Sequence, residues 1–135
     1  MENKKTAMSF EEANRWLDEV ADGIPEGIFK ELNGGIVLLP DICISPHAHG
    51  GDLFTLGMYH YEPYGMGRYI TIYYGSFVQV YGRRPLPEQK EGLKEVLYHE
   101  LTHHIESLAG VRDLEVKDEL FLEDYEKQRP KKKKR

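Results

Sequence analysis

The sequence predicts an α+β domain in which helices gather on one side of a small, mostly antiparallel or mixed sheet. A capped helical segment opens the chain, strand-like runs separated by turn residues fill its middle, and a long amphipathic helix follows. With 135 residues the chain suits one hydrophobic core. We therefore expect one domain over residues 1–130 and, at 131–135, a basic tail without stable structure.

The first element is a helix from Phe10 to about Asp22-Gly23. Ser9 and Glu12 have the S-x-x-E spacing of a capping box, and apolar residues follow at helical intervals. Pro25 suits the first position of a short second helix, which the glycines of "NGG" at 33–35 would end.

Strand-like runs follow in the middle of the chain. "GIVLLPDICIS" at 35–45 predicts a largely buried strand, with Pro40 marking an edge or a break. "PHAHGGD" at 46–52 indicates a loop, and "LFTLGMYHYE" at 53–62 and "GRYITIYYG" at 67–75 indicate two more strands. For "SFVQVYG" at 76–82 we favour a short helix over another strand, because Ser76 and Gln79 repeat the capping spacing.

A long helix is predicted from about Pro87 to Ala109, with Gly110 ending it. At 100° per residue one stripe of this helix is apolar and must face the core. Its members are Leu93, Leu97, Leu101, Ile105 and Leu108. An acidic amphipathic segment at about 114–128 completes the domain.

This long helix carries the H-E-x-x-H pattern of a zinc site. His99 and His103 lie one turn apart on a face other than the core stripe, so both imidazoles can reach one Zn²⁺ ion. Glu100, beside the first ligand, can take a proton from water that the metal activates and pass it to a leaving amine. The alternative is that these residues bind no metal and form only the polar face of an ordinary helix. The core stripe, the terminal glycine and the acids beyond it favour the metal.

A catalytic zinc site needs a third protein ligand. Four acids are candidates: Glu106, Asp113, Glu115 and Asp118. Glu106 lies on the histidine face but a turn further along, so it can instead orient His103. We favour Asp113, because Gly110 lets the chain reverse and three extended residues span about 10 Å.

The remaining histidines have simpler interpretations. His47 and His49 share an H-x-H spacing, but on a loop we favour two solvated side chains over a metal site. His60 is expected to be packed or half-buried in a strand. His104 projects about 100° from His103 and is expected to be structural, donating to a backbone carbonyl.

The charge distribution bears on possible partners. The net charge is −5, and the last five residues, "KKKKR", are all basic, so residues 1–130 carry −10. An acidic body repels phosphate, so we expect no nucleic-acid binding except through the tail at 131–135. The sequence shows no secretory signal and no membrane span, which favours a cytoplasmic protein without a membrane partner.

With these residues identified, the chain resembles the small bacterial zincin-like metallopeptidases. The resemblance runs from about Ser9 to Asp118 through "FEEANRWLDEVADGIPEGIF", "TLGMYHYEP" and "VLYHELTHH". The usual pattern of that family is H-E-x-x-H-H-x-G-x-x-D. His99, Glu100, His103 and His104 match it directly, whereas Gly110 and Asp113 match only across four inserted residues, "ESLA".

The resemblance implies a minimal zincin fold, one zinc ion with Asp113 as third ligand, and hydrolysis of a peptide or protein substrate. It also implies an edge strand that pairs with an extended substrate, which we assign to Arg68 and the tyrosines of "RYITIYYG". Two other functions remain open. One is a catalytically idle zinc- or protein-binding module, which the intact Glu100 disfavours. The other is a metal-dependent ribonuclease, which only the basic tail suggests.

Overall fold

A computed structural model describes residues 6–48, 50–51 and 53–110. Its α+β architecture confirms the predicted fold class. The helices are α1 (Phe10–Asp22), α2 (Tyr74–Tyr81) and α3 (Leu86–Ala109), and the strands are β1 (Gly35–Leu39), β2 (Gly57–Glu62) and β3 (Gly67–Tyr73). The acidic segment at 114–128, the basic tail and the domain limit at 130 lie outside the described residues.

Helix α1 forms where the capping spacing predicts it. The Ser9 side chain accepts a hydrogen bond from the backbone N–H of Glu12, and the Glu12 carboxylate accepts one from the backbone N–H of Ser9. Ala13, Leu17 and Val20 are buried along one face. The predicted second helix is only a 3-10 turn, Glu26–Phe29, and Pro25 precedes it as the cap.

The sheet is mixed, with the order β1-β3-β2. Strand β3 lies in the centre, parallel to β1 and antiparallel to β2. The assignment of the edge strand to the segment that begins at Arg68 is therefore wrong, because both sides of β3 are already paired. Among the described strands, β2 lies at an edge instead. Strand β3 buries residues on both faces, namely Arg68, Ile70, Thr71 and Ile72, as a central strand must.

The segment between β1 and β2 differs from the prediction. β1 is half-buried along its length rather than largely buried. It ends at Leu39, because Pro40 has no backbone N–H to continue the ladder. A short ribbon follows, in which Thr55 N–H donates to the Cys43 carbonyl and Ser45 N–H donates to the Leu53 carbonyl, both at 2.8 Å. Residues 53–55 thus pair within this ribbon, and β2 starts only at 57.

Helix α2 confirms the preference for a helix after β3. Its start is different from the one predicted, because Ser76 lies inside the helix rather than at its cap. The Ser76 hydroxyl is fully buried and accepts a hydrogen bond from Cys43 N–H at 2.8 Å. It therefore holds the chain that follows β1 against the start of α2.

Helix α3 contains 24 residues, and its predicted core stripe from Leu93 to Leu108 is buried. The helix runs without a break through residues 106–109, so the four inserted residues add about one helical turn. Gly110 caps it with φ −69°, a right-handed conformation. Within the part of the chain that the structure describes, no helix is both long and apolar enough to cross a membrane.

Candidate metal and catalytic site

The two histidines of the motif converge on the exposed side of α3. The Nε2 atoms of His99 and His103 lie 3.2 Å apart, and the two rings meet edge to face at 87°. Both side chains are exposed, while the neighbouring core stripe is buried. Helical spacing alone brings these two nitrogens to one point.

That separation fits a shared zinc ion. Two nitrogens bound to one tetrahedral Zn²⁺ at about 2.0–2.1 Å lie about 3.3 Å from each other. The same separation would also suit a proton held between two imidazoles. The two histidines therefore supply half of the ligands of a four-coordinate site. Whether they hold a zinc ion or share a proton depends on the remaining ligands.

Glu100 faces the sheet rather than the solvent. Its side chain is only 5% exposed, although the histidines on either side of it in the motif are exposed. Burial raises the pKa of the Glu100 carboxyl, and the nearby His103 partly offsets this shift. A carboxyl with a raised pKa exchanges its proton at a pH closer to neutral than an ordinary one, which suits an acid–base role.

Gly57, the first residue of β2, makes this position of Glu100 possible. A β-carbon built on Gly57 would lie 3.1 Å from Cγ and 3.3 Å from Oε2 of Glu100, and 2.9 Å from Cγ1 of Val96. Gly57 does not have a positive φ, so close approach and not backbone conformation calls for glycine here. The role of Gly57 is not among the sequence predictions, although a glycine inside a strand pattern often marks such an approach.

The third ligand is not found among the described residues. Within residues 6–48, 50–51 and 53–110, no three His, Cys, Asp or Glu side chains form a group able to hold a metal. Asp113, Glu115 and Asp118 lie outside the described residues. Glu106 lies inside them, with Oε1 3.3 Å from Nδ1 of His103, the ring nitrogen that does not face His99.

His104 has the structural role that the sequence predicts. It is fully buried, and its Nε2–H donates to the Lys30 carbonyl at 2.8 Å. This bond leaves Nδ1 as an acceptor, so the Tyr59 hydroxyl donates to it at 2.8 Å. The chain of hydrogen bonds ties α3 to β2 and to the segment after the 3-10 turn. Burial lowers the pKa of His104, which favours the neutral ring.

Arg68 binds the C-terminal end of α3. Its Nε donates to the Ser107 hydroxyl at 3.2 Å, and its guanidinium lies 4.0 Å from the centre of the Tyr61 ring. The side chain is buried, and Glu31 is 3.9 Å away. Its second terminal nitrogen, Nη2, has no hydrogen-bond partner among the described residues. Arg68 therefore joins β3 to the last turn of α3 and takes no part in an edge strand.

The register of β2 determines which backbone groups face outward. Tyr73 N–H donates to the Leu56 carbonyl at 2.9 Å, so Leu56 and Tyr73 form a hydrogen-bonded pair. Hydrogen-bonded and non-hydrogen-bonded pairs alternate along an antiparallel ladder. The N–H and C=O groups of Gly57, Tyr59 and Tyr61 thus point away from β3. Their edge has no strand partner in the described part of the chain.

The structure describes two of the three remaining histidines. His47 is exposed on its loop, as expected, and His49 lies outside the described residues. His60 is half-buried in β2, where its Nε2 is 2.9 Å from the Thr71 hydroxyl and its ring stacks on Tyr69 with centres 4.3 Å apart. These contacts give His60 a packing role.

Comparison with known proteins supports the fold and leaves the chemistry open. No family model and no curated protein matches the chain. The chain is similar to a solved structure, described as a conserved hypothetical protein from Thermus thermophilus. The two are 29% identical, with a TM-score of 0.65 over 77% of this chain and 100% of the other. The two chains therefore share this α+β fold over the whole length of the other chain.

Proposed function

We propose that the protein is a zinc-dependent peptidase that hydrolyses peptide bonds in extended substrates. One arrangement carries the proposal. The Nε2 atoms of His99 and His103 lie 3.2 Å apart, and the buried Glu100 stands between them in the motif. Glu100 also packs beside the start of β2, whose outer edge has no strand partner among the described residues.

In this proposal His99 and His103 hold the zinc, and Asp113 completes the protein ligands as the family resemblance implies. When bound, zinc polarises the substrate carbonyl and lowers the pKa of water. The histidines must be neutral to bind the ion, which makes metal affinity fall in acid.

Glu100 is the general base of the proposed reaction. Its carboxylate accepts a proton from the attacking water and then delivers that proton to the leaving amine, so one side chain serves both steps. Burial raises its pKa and thereby keeps the proton available for the second step. The absence of a β-carbon at Gly57 leaves room for the carboxyl beside the strand edge, where a substrate main chain would pass.

The outward groups of β2 supply the substrate-binding surface. A peptide in an extended conformation can pair with Gly57, Tyr59 and Tyr61 through its own N–H and C=O groups. Such pairing recognises the main chain and is tolerant of side chains. It also places one peptide unit next to Gly57, and therefore next to Glu100.

The decisive experiment measures metal content and hydrolysis on the same samples. Protein purified without chelator or affinity-tag metal is analysed for zinc, then incubated with denatured casein and with a mixture of reference peptides followed by mass spectrometry. We expect one zinc per wild-type chain and cleavage of extended peptides. Glu100→Gln is expected to retain zinc and lose cleavage, and His103→Ala to lose both.

Each alternative gives a distinct result. Zinc binding without cleavage of any probe in the wild type would support a non-catalytic module. No zinc in the wild type after incubation with excess metal would reduce the motif to a polar helix face. Zinc retained in Asp113→Ala would transfer the third-ligand role to Glu106, Glu115 or Asp118.

A further inference from the structure

The last turn of α3 distinguishes this chain from the zincin-like pattern that it resembles. In that pattern a glycine stands three residues after the second zinc-binding histidine, whereas here Glu106 occupies that position and the helix continues to Ala109. The inserted turn is therefore regular helix, and Glu106 is its first residue. Its helical position, three residues after His103, brings its carboxylate to the imidazole.

The two nitrogens of the His103 ring face different partners. Nε2 lies 3.2 Å from Nε2 of His99, and Nδ1 lies 3.3 Å from Oε1 of Glu106. If Nε2 gives its lone pair to a metal, the neutral ring must carry its hydrogen on Nδ1. A carboxylate beside Nδ1 accepts that hydrogen and so selects the tautomer that binds metal.

We propose that Glu106 is a positioning residue that fixes the tautomer and orientation of His103 and so strengthens metal binding at His99 and His103. This inference rests on the zinc site proposed above. Glu106 acts through His103 and is not itself a ligand, because its carboxylate contacts the nitrogen that points away from the shared site. The inserted turn also provides Ser107, whose bond from Arg68 holds this end of the helix against β3.

Zinc affinity tests the proposal without requiring a substrate. Metal-free wild type, Glu106→Ala and Glu106→Gln are titrated with zinc in competition with a chromophoric chelator. Removing the partner of a metal-bound histidine typically weakens metal binding about 10- to 100-fold, and we expect a loss in that range for Glu106→Ala. Glu106→Gln should retain most of the affinity, since an amide oxygen also accepts from Nδ1–H.

Glu91→Ala is the matched control. Glu91 is exposed on the same helix, four turns before Glu106 and away from the histidines, and its removal changes the net charge equally. Its zinc affinity should equal that of the wild type. A loss in Glu91→Ala as large as in Glu106→Ala would show that overall charge is responsible and would overturn the proposal.

Cobalt substitution separates a positioning residue from a ligand. The visible spectrum of bound Co²⁺ reports the coordination number and donor atoms. We expect Glu106→Ala to have the wild-type spectrum at saturating metal. A changed spectrum would make Glu106 a ligand and overturn the assignment.

The positioning role of Glu106 and the zinc site itself are distinguished by different results. Equal zinc affinity in wild type and Glu106→Ala would overturn the positioning role and leave the zinc site standing. A wild type that binds no zinc would overturn the proposed function together with this inference. Circular dichroism of each variant confirms that the helix is intact in the samples compared.

Discussion

Gly57 and Glu100 approach each other closely where β2 meets α3. A β-carbon at residue 57 would lie only 3.1 Å from Cγ of Glu100. The absence of a side chain at Gly57 therefore lets the strand and the carboxyl lie close together. This contact joins the proposed general base to the surface that would hold the substrate main chain.

Gly57→Ala is predicted to displace Glu100 and to lower peptide hydrolysis. Glu100 must give way by a few tenths of an ångström. A misplacement of about 1 Å can cost about 100-fold, so for this smaller shift we expect a loss of about 2- to 10-fold in kcat/KM on a cleaved reference peptide. Zinc content should remain at the wild-type value, because His99 and His103 are not displaced. Gly23→Ala is the control, since its β-carbon meets only a carbonyl oxygen at 3.6 Å.

A double variant separates catalysis from packing. The same β-carbon would crowd Val96 at 2.9 Å, so Gly57→Ala is also expected to lower the free energy of unfolding. Adding Val96→Ala removes that crowding and leaves Glu100 displaced. Recovery of stability without recovery of hydrolysis is the expected result. Recovery of both would show that Gly57 matters for packing alone.

The buried His104 predicts an acid-dependent loss of stability in the metal-free protein. Its pKa is lowered from 6.5 in the folded state by burial, so the unfolded chain binds a proton more readily. The neutral ring therefore contributes stability that is fully present above pH 6.5 and is lost as the pH falls towards the lowered folded value.

This contribution is measured by urea unfolding of metal-free protein between about pH 5 and pH 8, compared with His104→Gln. The free-energy difference between the two proteins should shrink as the pH falls below 6.5. Glu100 is present in both proteins, so its own titration largely cancels in the difference. A difference that is constant across this range would contradict a buried neutral His104.

Gln89 is predicted to hold the start of the chain against α3. Its side chain is fully buried, and it accepts from Met8 N–H at 2.9 Å and donates to the carbonyls of Thr6 at 3.2 Å and Arg84 at 2.8 Å. Gln89→Leu leaves the buried Met8 N–H and the two partly buried carbonyls without their partner. A fully buried group left unsatisfied costs about 1–3 kcal/mol, and a partly buried one costs less because water can reach it. We expect the free energy of unfolding to fall by at least about 2 kcal/mol.

Gln79→Leu is the control for this loss, because Gln79 is exposed on α2 and the substitution is chemically identical. Its stability should lie within about 0.5 kcal/mol of the wild type. Thermal and urea unfolding of the three proteins provide the comparison. Equal losses in both variants would attribute the effect to the leucine rather than to the buried hydrogen bonds.

Local patterns in the sequence were enough to predict α1 and α3. The capping spacing of Ser9 and Glu12 located the start of α1, and the stripe from Leu93 to Leu108 located the buried face of α3. The donation from His104 to a backbone carbonyl also follows from its place on the helix, beside the core stripe. Each of these depends on residues close together in the chain, or on one helix face.

The order of strands in the sheet depends on pairing between distant segments, and the prediction failed there. β3 was assigned to the edge, yet it lies between β1 and β2. Its run "YITIY" carries apolar or β-branched residues on both faces, which is typical of a central strand and was available in the sequence. The contact between Gly57 and Glu100 likewise joins segments far apart in the chain, and no local pattern specifies it.

Two substitutions of Tyr61 in β2 distinguish the contribution of its backbone N–H to substrate binding from that of its side chain. Tyr61 directs its N–H away from β3, so proline at this position removes an outward donor without breaking the ladder. Tyr61→Ala removes the same side chain, including its contact with Arg68, and keeps the N–H. Comparison of the two variants therefore isolates one backbone hydrogen bond to the substrate.

If a peptide pairs with this edge, Tyr61→Pro should have a lower kcat/KM than Tyr61→Ala on a reference peptide long enough to reach residue 61. One hydrogen bond contributes about 0.5–1.5 kcal/mol, which corresponds to about a 2- to 10-fold difference. A peptide too short to reach Tyr61 of the enzyme should be cleaved equally by both variants, because it cannot accept a hydrogen bond from the N–H at that position. Equal rates on the long peptide as well would place the substrate elsewhere on the surface, since an edge-bound strand must lose that contact.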